Sequence, residues 1–319
     1  MTTLTARPYT GEADLPLIAD LINACEAVDQ TEDGTSVEEL RSEFSYPNVD
    51  QQRDLRLWEA ADGALIGFGQ VWVPATGDEA DGFLWFKAHP EHRDGTLESE
   101  ILSWGEQRVR EIGQERQIPA KLRAGARTDR PERIALLERH GFQIGRYFLR
   151  MRRSLDGPIP EPTLPDGFTL RHLSGQEEVP AWVDLFNESF IDHWNHHPLT
   201  IEERLHWASE PTYRLDQDLI ATAPDGAFAA FCKCYISDEQ NRRLGRSEGW
   251  ISLLGSRRGY RNLGLGRAVL LAGLRRLQAD GAESAVLGVD ASSPTGATRL
   301  YESVGFETAF TSIAYYKDV

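Results

Sequence analysis

A basic, glycine-rich segment is the clearest candidate for chemistry in this chain. Residues 257–267 read RRGYRNLGLGR, after a β-prone run, Trp250–Leu254, and a helical pattern begins at Arg267. A strand, a glycine loop and a helix N-terminus in that order form an anion site, because unpartnered N–H groups point outward and the helix dipole adds positive potential. The missing side chains at Gly264 and Gly266 let phosphate approach the backbone. The alternatives are a tight turn with solvated arginines, or a dinucleotide loop, which the spacing disfavours because it is not GxGxxG.

Two side chains near this segment could move protons. Tyr301 lies on a helical stripe with Leu300 and Val304, so it is either a proton donor or a core aromatic. Glu248 precedes the β-prone run and is either a general base or a solvated carboxylate at a strand edge. The residue types alone leave both alternatives open.

A segment rich in histidine lies further forward, at Ile191–Pro198, which reads IDHWNHHP. His193, Trp194 and His196 could orient a polar acceptor or supply an alternative base, and a polar loop with ordinary surface histidines explains the segment equally well. The adjacent His196 and His197 diverge on most backbones, so we expect no metal site.

The elements that position these residues occur twice. A shift of 164 residues superimposes, among others, Thr5 on Thr169, Asp20 on Asp184, Leu136 on Leu300 and Phe142 on Phe306. A stretch with four prolines and two glycines, DGPIPEPTLPDG, separates the copies and favours a semi-extended connector. We therefore expect an N-terminal domain over residues 1–155, a linker over 156–167 and a C-terminal domain over 168–319.

Each copy is predicted to be mixed α/β, with a mostly antiparallel sheet flanked by helices. Hairpins are expected at Asp54–Glu59 with Leu65–Val73, and at Asp218–Thr222 with Ala227–Ile236, because Asp-Gly turns join the paired runs. Polar loops are expected at Pro74–Gly82 and Ser237–Arg246.

Composition limits the partners. The 319 residues carry a net charge of −16, and 40% are hydrophobic, typical of a globular protein with two domains. Without a Lys and Arg excess, nucleic acid is an improbable partner. No apolar run reaches membrane-spanning length and no secretion signal is evident, so we expect a cytoplasmic monomer or homodimer. Cys232 and Cys234, two apart in an apolar stretch, are predicted to be core residues on one strand face.

The loop RNLGLG at residues 261–266 resembles the acetyl-CoA pyrophosphate loop of the GNAT superfamily of N-acetyltransferases, and the segment from Val289 to Phe306 is similar to the family's next strand and helix. Two such units resemble tandem acetyltransferases of the mycothiol synthase type. The resemblance implies that acetyl-CoA, and no metal, binds at Leu254, Gly255, Ser256, Arg261, Asn262, Leu263, Gly264, Leu265, Gly266, Arg267 and Ser293, the last standing where the family has asparagine.

The resemblance also implies roles in acetyl transfer to a small-molecule amine. A primary amine with a pKa of about 10.4 must lose a proton before it attacks the thioester. Glu248 is the candidate base, directly or through water. A main-chain N–H near Leu254 or Gly255 would stabilise the oxyanion, and Tyr301 would protonate the departing thiolate. His193, Trp194 and His196 would border the acceptor.

The first copy is expected to be inactive. Its corresponding segment, His92–Glu98, is one residue short or lacks the second glycine, and it contains two acids. A carboxylate about 4 Å from a phosphate costs on the order of 4 kcal/mol at an effective dielectric constant of 20. Leu137 replaces the tyrosine and cannot donate a proton. We therefore predict weak or absent CoA binding there.

Three functions remain open on this basis. The first is acetyl-CoA-dependent N-acetylation of a small amine in the C-terminal copy. The second is acetylation of a cysteinyl pseudodisaccharide, as in mycothiol synthase. The third is a catalytically silent module that senses CoA or mediates protein contacts.

Overall fold

The computed structural model describes residues 4–194, 196–210 and 212–319, which divide into two compact units. Unit 1 comprises Met1–Arg146 and Ser312–Val319, and unit 2 comprises Tyr147–Thr311. This division differs from the boundaries expected from the repeat. The physical reason is an exchange of strands, because most of the last strand of each repeat pairs within the other unit.

Unit 1 is a sheet flanked by helices. Its elements are β1 (Thr5–Pro8), α1 (Asp14–Asp29), α2 (Val37–Phe44), β2 (Leu55–Glu59), β3 (Leu65–Trp72), β4 (Ala80–Ala88), α3 (Thr96–Arg116), β5 (Ala120–Arg127) and α4 (Pro131–Arg139). The strand order is β1-β2-β3-β4-β5, and β5 then pairs antiparallel with Ser312–Asp318. Only β4 and β5 run parallel to each other.

Unit 2 repeats this arrangement. Its elements are β6 (Gln143–Ser154), β7 (Thr169–His172), α5 (Val179–Phe190), α6 (Ile201–Ser209), β8 (Asp218–Thr222), β9 (Phe228–Ile236), α7 (Asp238–Leu244), β10 (Glu248–Ser256), α8 (Leu265–Ala279), β11 (Ser284–Asp290), α9 (Ala297–Ser303) and β12 (Glu307–Asp318). Strand β6 belongs to unit 2 from Tyr147 onward, and β12 belongs to it up to Thr311. The strand order is β6-β11-β10-β9-β8-β7, in which only β10 and β11 are parallel. The predicted mixed, mostly antiparallel α/β fold is confirmed in both units.

Helix α8 carries the largest part of the unit 2 core. Leu270, Leu271, Leu274 and Leu277 are buried on its inner face, as the periodicity predicts. Gly249 on β10 lets the helix lie close to the sheet, since a Cβ at this position would come within 2.6 Å of the Leu277 side chain. At the other end of the helix, a Cβ at Gly266 would lie 3.4 Å from the Ser256 hydroxyl, so the N-terminus of α8 also lies close to the end of β10.

Both cysteines of β9 lie in this core, as predicted. Cys232 and Cys234 are 0% and 2% exposed on the face that packs against α8. Burial raises the pKa of Cys234 to about 12, so the thiol stays protonated at neutral pH.

Two predicted loops are wrong in part. Residues 238–244 form helix α7, because the Ser237 hydroxyl accepts a hydrogen bond from the Gln240 N–H and Gly245 ends the helix at φ 62°. The loop expected to reach Gly82 ends earlier, since β4 begins at Ala80 and pairs with β5.

The segment between the repeats is docked on α8. Ile159 is 4% exposed and packs in the unit 2 core, and its carbonyl accepts a hydrogen bond from Arg275 at 2.9 Å. Gln278 donates to the carbonyls of Leu155 and Gly157 at 2.5 and 2.9 Å. The proline-rich stretch therefore follows a fixed path along the helix. Across the described ranges, no helix has both the length and the apolar character needed to cross a membrane.

Candidate functional site in unit 2

The loop between β10 and α8 presents a row of unpaired main-chain donors. A 3-10 turn at Arg258–Tyr260 leads to Asn262 at φ 64° and Gly264 at φ 81°, and Gly264 is the N-cap of α8. The N–H groups of residues 262–267 make no hydrogen bond to any described residue. Six donors at the positive end of a 15-residue helix form an anion cradle.

The arginines of this loop differ from expectation. Only Arg267 is exposed and makes no ion pair with a described residue. The other three pair with carboxylates at the end of α5. Arg257 pairs with Glu188 at 3.2 Å, and both Arg258 and Arg261 pair with Asp192. These ion pairs hold the loop against α5, so that the main chain faces the anion site while the three guanidinium groups face α5.

A slot opens between β10 and β11 next to this loop. Their parallel ladder ends at Trp250 and Val286, although β10 continues to Ser256 and β11 to Asp290. The outer edges of both strands are paired, β10 with β9 and β11 with β6. Past the ladder, the facing edges of Ile251–Ser256 and Leu287–Asp290 therefore offer N–H and C=O groups to an extended ligand.

The candidate residues Leu254, Gly255 and Ser256 lie on the slot's β10 edge. Gly255 is buried, and a Cβ there would overlap the Phe231 ring. Only glycine therefore fits at this position. Ser293 lies in the loop after β11, where its hydroxyl hydrogen bonds to Thr295 at 2.9 Å.

Tyr301 on α9 is a core aromatic with an unusual hydroxyl. It is 7% exposed, and its ring contacts Phe306 edge to face at 5.9 Å. No described residue hydrogen bonds to its hydroxyl, which is not fully shielded from solvent. Burial raises the pKa of Tyr301 well above its ordinary value, which keeps the phenol protonated.

Glu248 is buried at the first residue of β10. It is 4% exposed, and its Oε1 forms ion pairs with Arg152, whose Nε lies 2.6 Å away, and with Arg246, whose Nη1 lies 3.6 Å away. The expectation of a solvated carboxylate at a strand edge is therefore wrong. Leu254 lies six residue steps after Glu248 along β10, which is about 20 Å at about 3.3 Å per residue. The structure does not bring the candidate base and the candidate oxyanion donor together.

The histidine-rich segment follows α5, beside the ion-paired Asp192; Asn195 lies outside the described residues. His193 Nδ1 hydrogen bonds to the Trp194 carbonyl at 2.8 Å, and the His196 N–H donates to the His193 carbonyl at 3.2 Å. Burial, followed by the charges of His197 and His193, lowers the pKa of His196. A neutral imidazole at pH 7 can accept a proton.

Strand β6 supplies residues that the sequence interpretation missed. The Arg150 guanidinium lies 4.1 Å from the Trp250 ring, which also stacks on Tyr235 at 5.9 Å. Phe148 contacts Trp194 at 6.0 Å on the same strand face. The alternation of Leu149 and Met151 with Arg150 and Arg152 was visible in the sequence, but the repeat assigned this strand to the first copy. Gly288, which pairs with Arg150, is exposed in the middle of β11, so no side chain covers the sheet surface beside Arg150; we call this surface the open floor.

Unit 1 also has two parallel strands whose ladder ends early, but its own carboxylates bind main-chain N–H groups of its loop. Its loop holds three residues, Arg93–Gly95, where unit 2 holds four, Arg261–Gly264. The Glu98 carboxylate accepts from the Gly95 N–H at 3.2 Å, and the Asp94 carboxylate accepts from the Thr96 N–H at 2.8 Å. Carboxylates thus occupy two of the donors that a phosphate would use.

A side chain also crosses the unit 1 slot. The β4–β5 ladder ends at Phe83 and Arg123. Beyond it, the Arg133 guanidinium lies 3.5 Å from the Phe86 ring on β4 and donates to the Gly125 carbonyl on β5 at 3.2 Å. Leu137, at the tyrosine position, is 0% exposed. Among the residues the structure describes, no group of three or more His, Cys, Asp or Glu side chains could hold a metal in either unit.

Comparison with known proteins gives consistent matches. Residues 179–306 match the Acetyltransferase (GNAT) family. The chain is 31% identical to the mycothiol acetyltransferase of Kineococcus radiotolerans over 80% of its own length and 78% of the relative's. It is 30% identical to that of Frankia casuarinae, over 80% and 72% of the two chains.

Solved structures match over nearly the whole chain. A GCN5-related N-acetyltransferase from Sphaerobacter thermophilus superimposes with a TM-score of 0.77 and 26% identity, covering 99% of this chain and 95% of that one. A tandem GNAT protein from the clavulanic acid biosynthesis pathway gives a TM-score of 0.73 at 14% identity, covering 99% and 98%. The second match supports the tandem fold alone.

Proposed function

Because the chain belongs to the GNAT family of N-acetyltransferases, we propose that unit 2 transfers an acetyl group from acetyl-CoA to the primary amine of a small molecule. The observation that carries this proposal is the row of unpaired N–H groups at residues 262–267, next to a slot between two parallel strands. Unit 1 has the slot, but carboxylates occupy two of its loop donors, at Gly95 and Thr96, which supports the assignment to unit 2.

The cradle and the slot suit the two parts of the coenzyme nearest the acetyl group. The N–H groups of residues 262–267 would hold the diphosphate, and the facing strand edges would bind the amides of the pantetheine arm. Acetyl-CoA supplies an activated acetyl thioester. Main-chain N–H groups near Leu254 and Gly255 would stabilise the oxyanion, and the Tyr301 hydroxyl would give its proton to the thiolate.

Proton removal from the amine is assigned to the histidine segment. A carboxylate at Glu248 cannot reach an acetyl group held near Leu254, because about 20 Å of strand separates them. The segment containing His196 begins at the end of α5, where Ser189 lies against Gly255. Its imidazole has a lowered pKa and is neutral at pH 7. His196 is therefore the proposed base, and Glu248 orients Arg152.

The second candidate acceptor is a cysteinyl pseudodisaccharide. The observation in its favour is the similarity to proteins named mycothiol acetyltransferase, at about 30% identity over 80% of this chain. A saccharide presents hydroxyl groups, which Arg150 beside the open floor at Gly288 can hydrogen bond. Thiol release measured over a panel of simple amines and this compound separates the two candidates.

The cradle can be tested with matched glycine substitutions. Gly264 and Gly95 are both helix N-caps with positive φ, 81° and 91°, and an added Cβ meets nothing within 4 Å at either. Alanine should therefore destabilise both units similarly, by about 1–2 kcal/mol. Only Gly264→Ala would place a methyl group in the cradle. We expect it to weaken acetyl-CoA binding at least tenfold by calorimetry.

Gly95→Ala is the control and should leave the affinity within twofold. Equal affinities in the two variants would contradict the placement of the coenzyme in unit 2. Acetyl-CoA binding by the wild type without thiol release on any amine would favour a silent CoA sensor.

A further inference from the structure

Lys233 is the only lysine of unit 2, and its amine lacks a carboxylate partner. The chain contains four lysines. Lys87, Lys121 and Lys317, all in unit 1, pair with carboxylates at 3.3, 2.8 and 2.6 Å. Lys233 makes no ion pair or hydrogen bond with any described residue. An ammonium held by a carboxylate keeps its proton, so the lone pair of Lys233 is the most readily freed of the four.

The stem of the Lys233 side chain is buried, but its tip reaches solvent beside two aromatic rings. Lys233 is 8% exposed in the middle of β9, and its Nζ atom is not fully shielded from solvent. Nζ lies 5.5 Å from the centroid of the Trp207 ring on α6 and 5.8 Å from that of Tyr213. Rings at these distances are near the outer limit of cation–π attraction, so they stabilise the ammonium only weakly. The amine is thus open to a small reagent and weakly held.

A buried carboxylate opposite Lys233 is bound by other groups. Asp218 pairs with Lys233 in the β8–β9 ladder and is 0% exposed. Its Oδ1 accepts a hydrogen bond from Trp182 at 2.9 Å, and its Oδ2 accepts from Arg204 at 2.5 Å and from Tyr213 at 3.3 Å. These three donors orient the carboxylate away from an ion pair with Lys233.

Burial lowers the pKa of Lys233, because the ammonium loses water that the aromatic rings do not replace. Glu210, just after α6, and Asp218 on β8 favour the charged form, whereas Arg204 on α6 opposes it. Cys234, the next residue of β9, stays a neutral thiol. A larger share of this amine is therefore neutral at pH 7 than of an ordinary lysine, and only the neutral form is a nucleophile.

We infer that Lys233 is a modification site, at which acyl thioesters such as acetyl-CoA acylate the chain itself. The Nζ lone pair attacks the thioester carbonyl, the C–S bond breaks, and a thiolate leaves. Nζ loses a proton to solvent and the thiolate takes one up, so that an amide and a thiol are formed. The amide is neutral, so the modification removes a positive charge that faces Glu210 and Asp218. The inference goes beyond the proposed function, since it needs a thioester in solution and no coenzyme in the cradle.

The test measures acetylation of each lysine in the folded full chain by peptide mass spectrometry. The probe is S-acetyl-N-acetylcysteamine, a small acetyl thioester without a nucleotide. We expect the initial rate at Lys233 to exceed the rate at each other lysine at least tenfold, because ion pairs hold the other three protonated. In urea these contacts are lost, and the four rates should agree within threefold. A folded-state rate at Lys233 equal to or below the others would overturn the inference, as would a preference for Lys233 that persists in urea.

Matched glutamine substitutions at the two ends of α6 test the electrostatic cause. Glu210→Gln removes a carboxylate that favours the ammonium, so acetylation of Lys233 should become at least twofold faster. Glu202→Gln, at an exposed position in the first turn of the helix, is the control and should leave the rate unchanged. Equal rates in the two variants would overturn the role of Glu210.

A variant of the cradle separates this inference from the proposed function. Gly264→Ala should leave acetylation of Lys233 by the small thioester within twofold of wild type. Loss of acetylation in this variant would mean that the acetyl group reaches Lys233 from the unit 2 site, and it would overturn the direct reaction. A wild-type chain that is acetylated at Lys233 but releases no thiol with any amine would contradict the proposed function and leave this inference standing.

Discussion

The hydroxyl of Tyr301 is the single group whose surroundings argue most directly for a proton-transfer role. The Tyr301 ring packs in an apolar core, beside Val304 and Phe306. Its hydroxyl makes no hydrogen bond to a described residue, yet it is not fully shielded from solvent. The hydroxyl is therefore available to a bound thiolate, whereas the ring is held in place by the core.

Tyr301→Phe should therefore separate catalysis from stability. We expect turnover to fall at least tenfold, acetyl-CoA affinity to stay within twofold, and the melting temperature to stay nearly unchanged, because the substitution breaks no hydrogen bond to a described residue. Tyr315→Phe is the matched control: Tyr315 is equally buried, but its hydroxyl donates to Glu138 at 3.3 Å. It should lose about 1 kcal/mol of stability and keep full turnover. The reverse pattern would remove the acid role from Tyr301.

The sequence motif singled out Tyr301, but the residue types did not predict which groups surround it. The sequence left Tyr301 open between acid and core aromatic, and the structure shows a core aromatic whose hydroxyl has no described partner. The ion pair between Glu248 and Arg152 was beyond sequence reasoning, because strand β6 was assigned to the other copy.

Strand β10 sets the distances between candidate groups. It carries Glu248 at its start and the slot residues at its end, and its rise of about 3.3 Å per residue keeps the two apart. The predicted bounds of the β8–β9 hairpin agree with the structure to within one residue, since Asp-Gly turns and alternating apolar residues are local signals. The separation along β10 could be counted from the sequence, but the point where its ladder with β11 ends could not.

Two substitutions test which group removes the proton. The imidazole of His196 must be neutral to act as a base, and its lowered pKa places the loss of kcat below about pH 6.5, the ordinary value for histidine. His196→Gln should lower kcat at least tenfold at pH 7 and abolish this acid limb. Glu248→Gln should keep the limb and lose about 1–3 kcal/mol of stability, since it weakens a buried ion pair with Arg152.

A normal pH profile in His196→Gln, together with loss of the acid limb in Glu248→Gln, would return the base role to Glu248. Both variants are measured for acetyl-CoA affinity as well, which neither should change.

At the scale of the whole molecule, repeat boundaries and folding units differ. The internal repeat predicted two copies correctly, because matched residues recur at one spacing. It could not predict the exchange of terminal strands, since both copies end in strands of similar pattern and only the tertiary pairing distinguishes their partners. The prolines of the connecting segment indicated extended chain, whereas its apolar residues, such as Ile159 and Leu164, dock on α8.

Fragments of the chain test these units. A fragment of residues 147–311 should melt cooperatively, because it holds every strand of unit 2 and the buried Met151. The rear repeat alone, residues 168–319, lacks β6, so β11 loses a ladder that runs from Ser284 to Asp290. Loss of buried side chains such as Met151 costs about 2–5 kcal/mol each. We expect no cooperative melt by circular dichroism, and a stable 168–319 fragment would contradict the exchange.

The exchanged strands also set the order in which the units are completed during synthesis. Translation releases the chain from its N-terminus, and residues 312–319 emerge after all of unit 2, although they pair with β5 of unit 1. Unit 2 has its full sequence once residue 311 has left the ribosome. The unit that begins first therefore finishes second, and until then the outer edge of β5 is open to strands of neighbouring nascent chains.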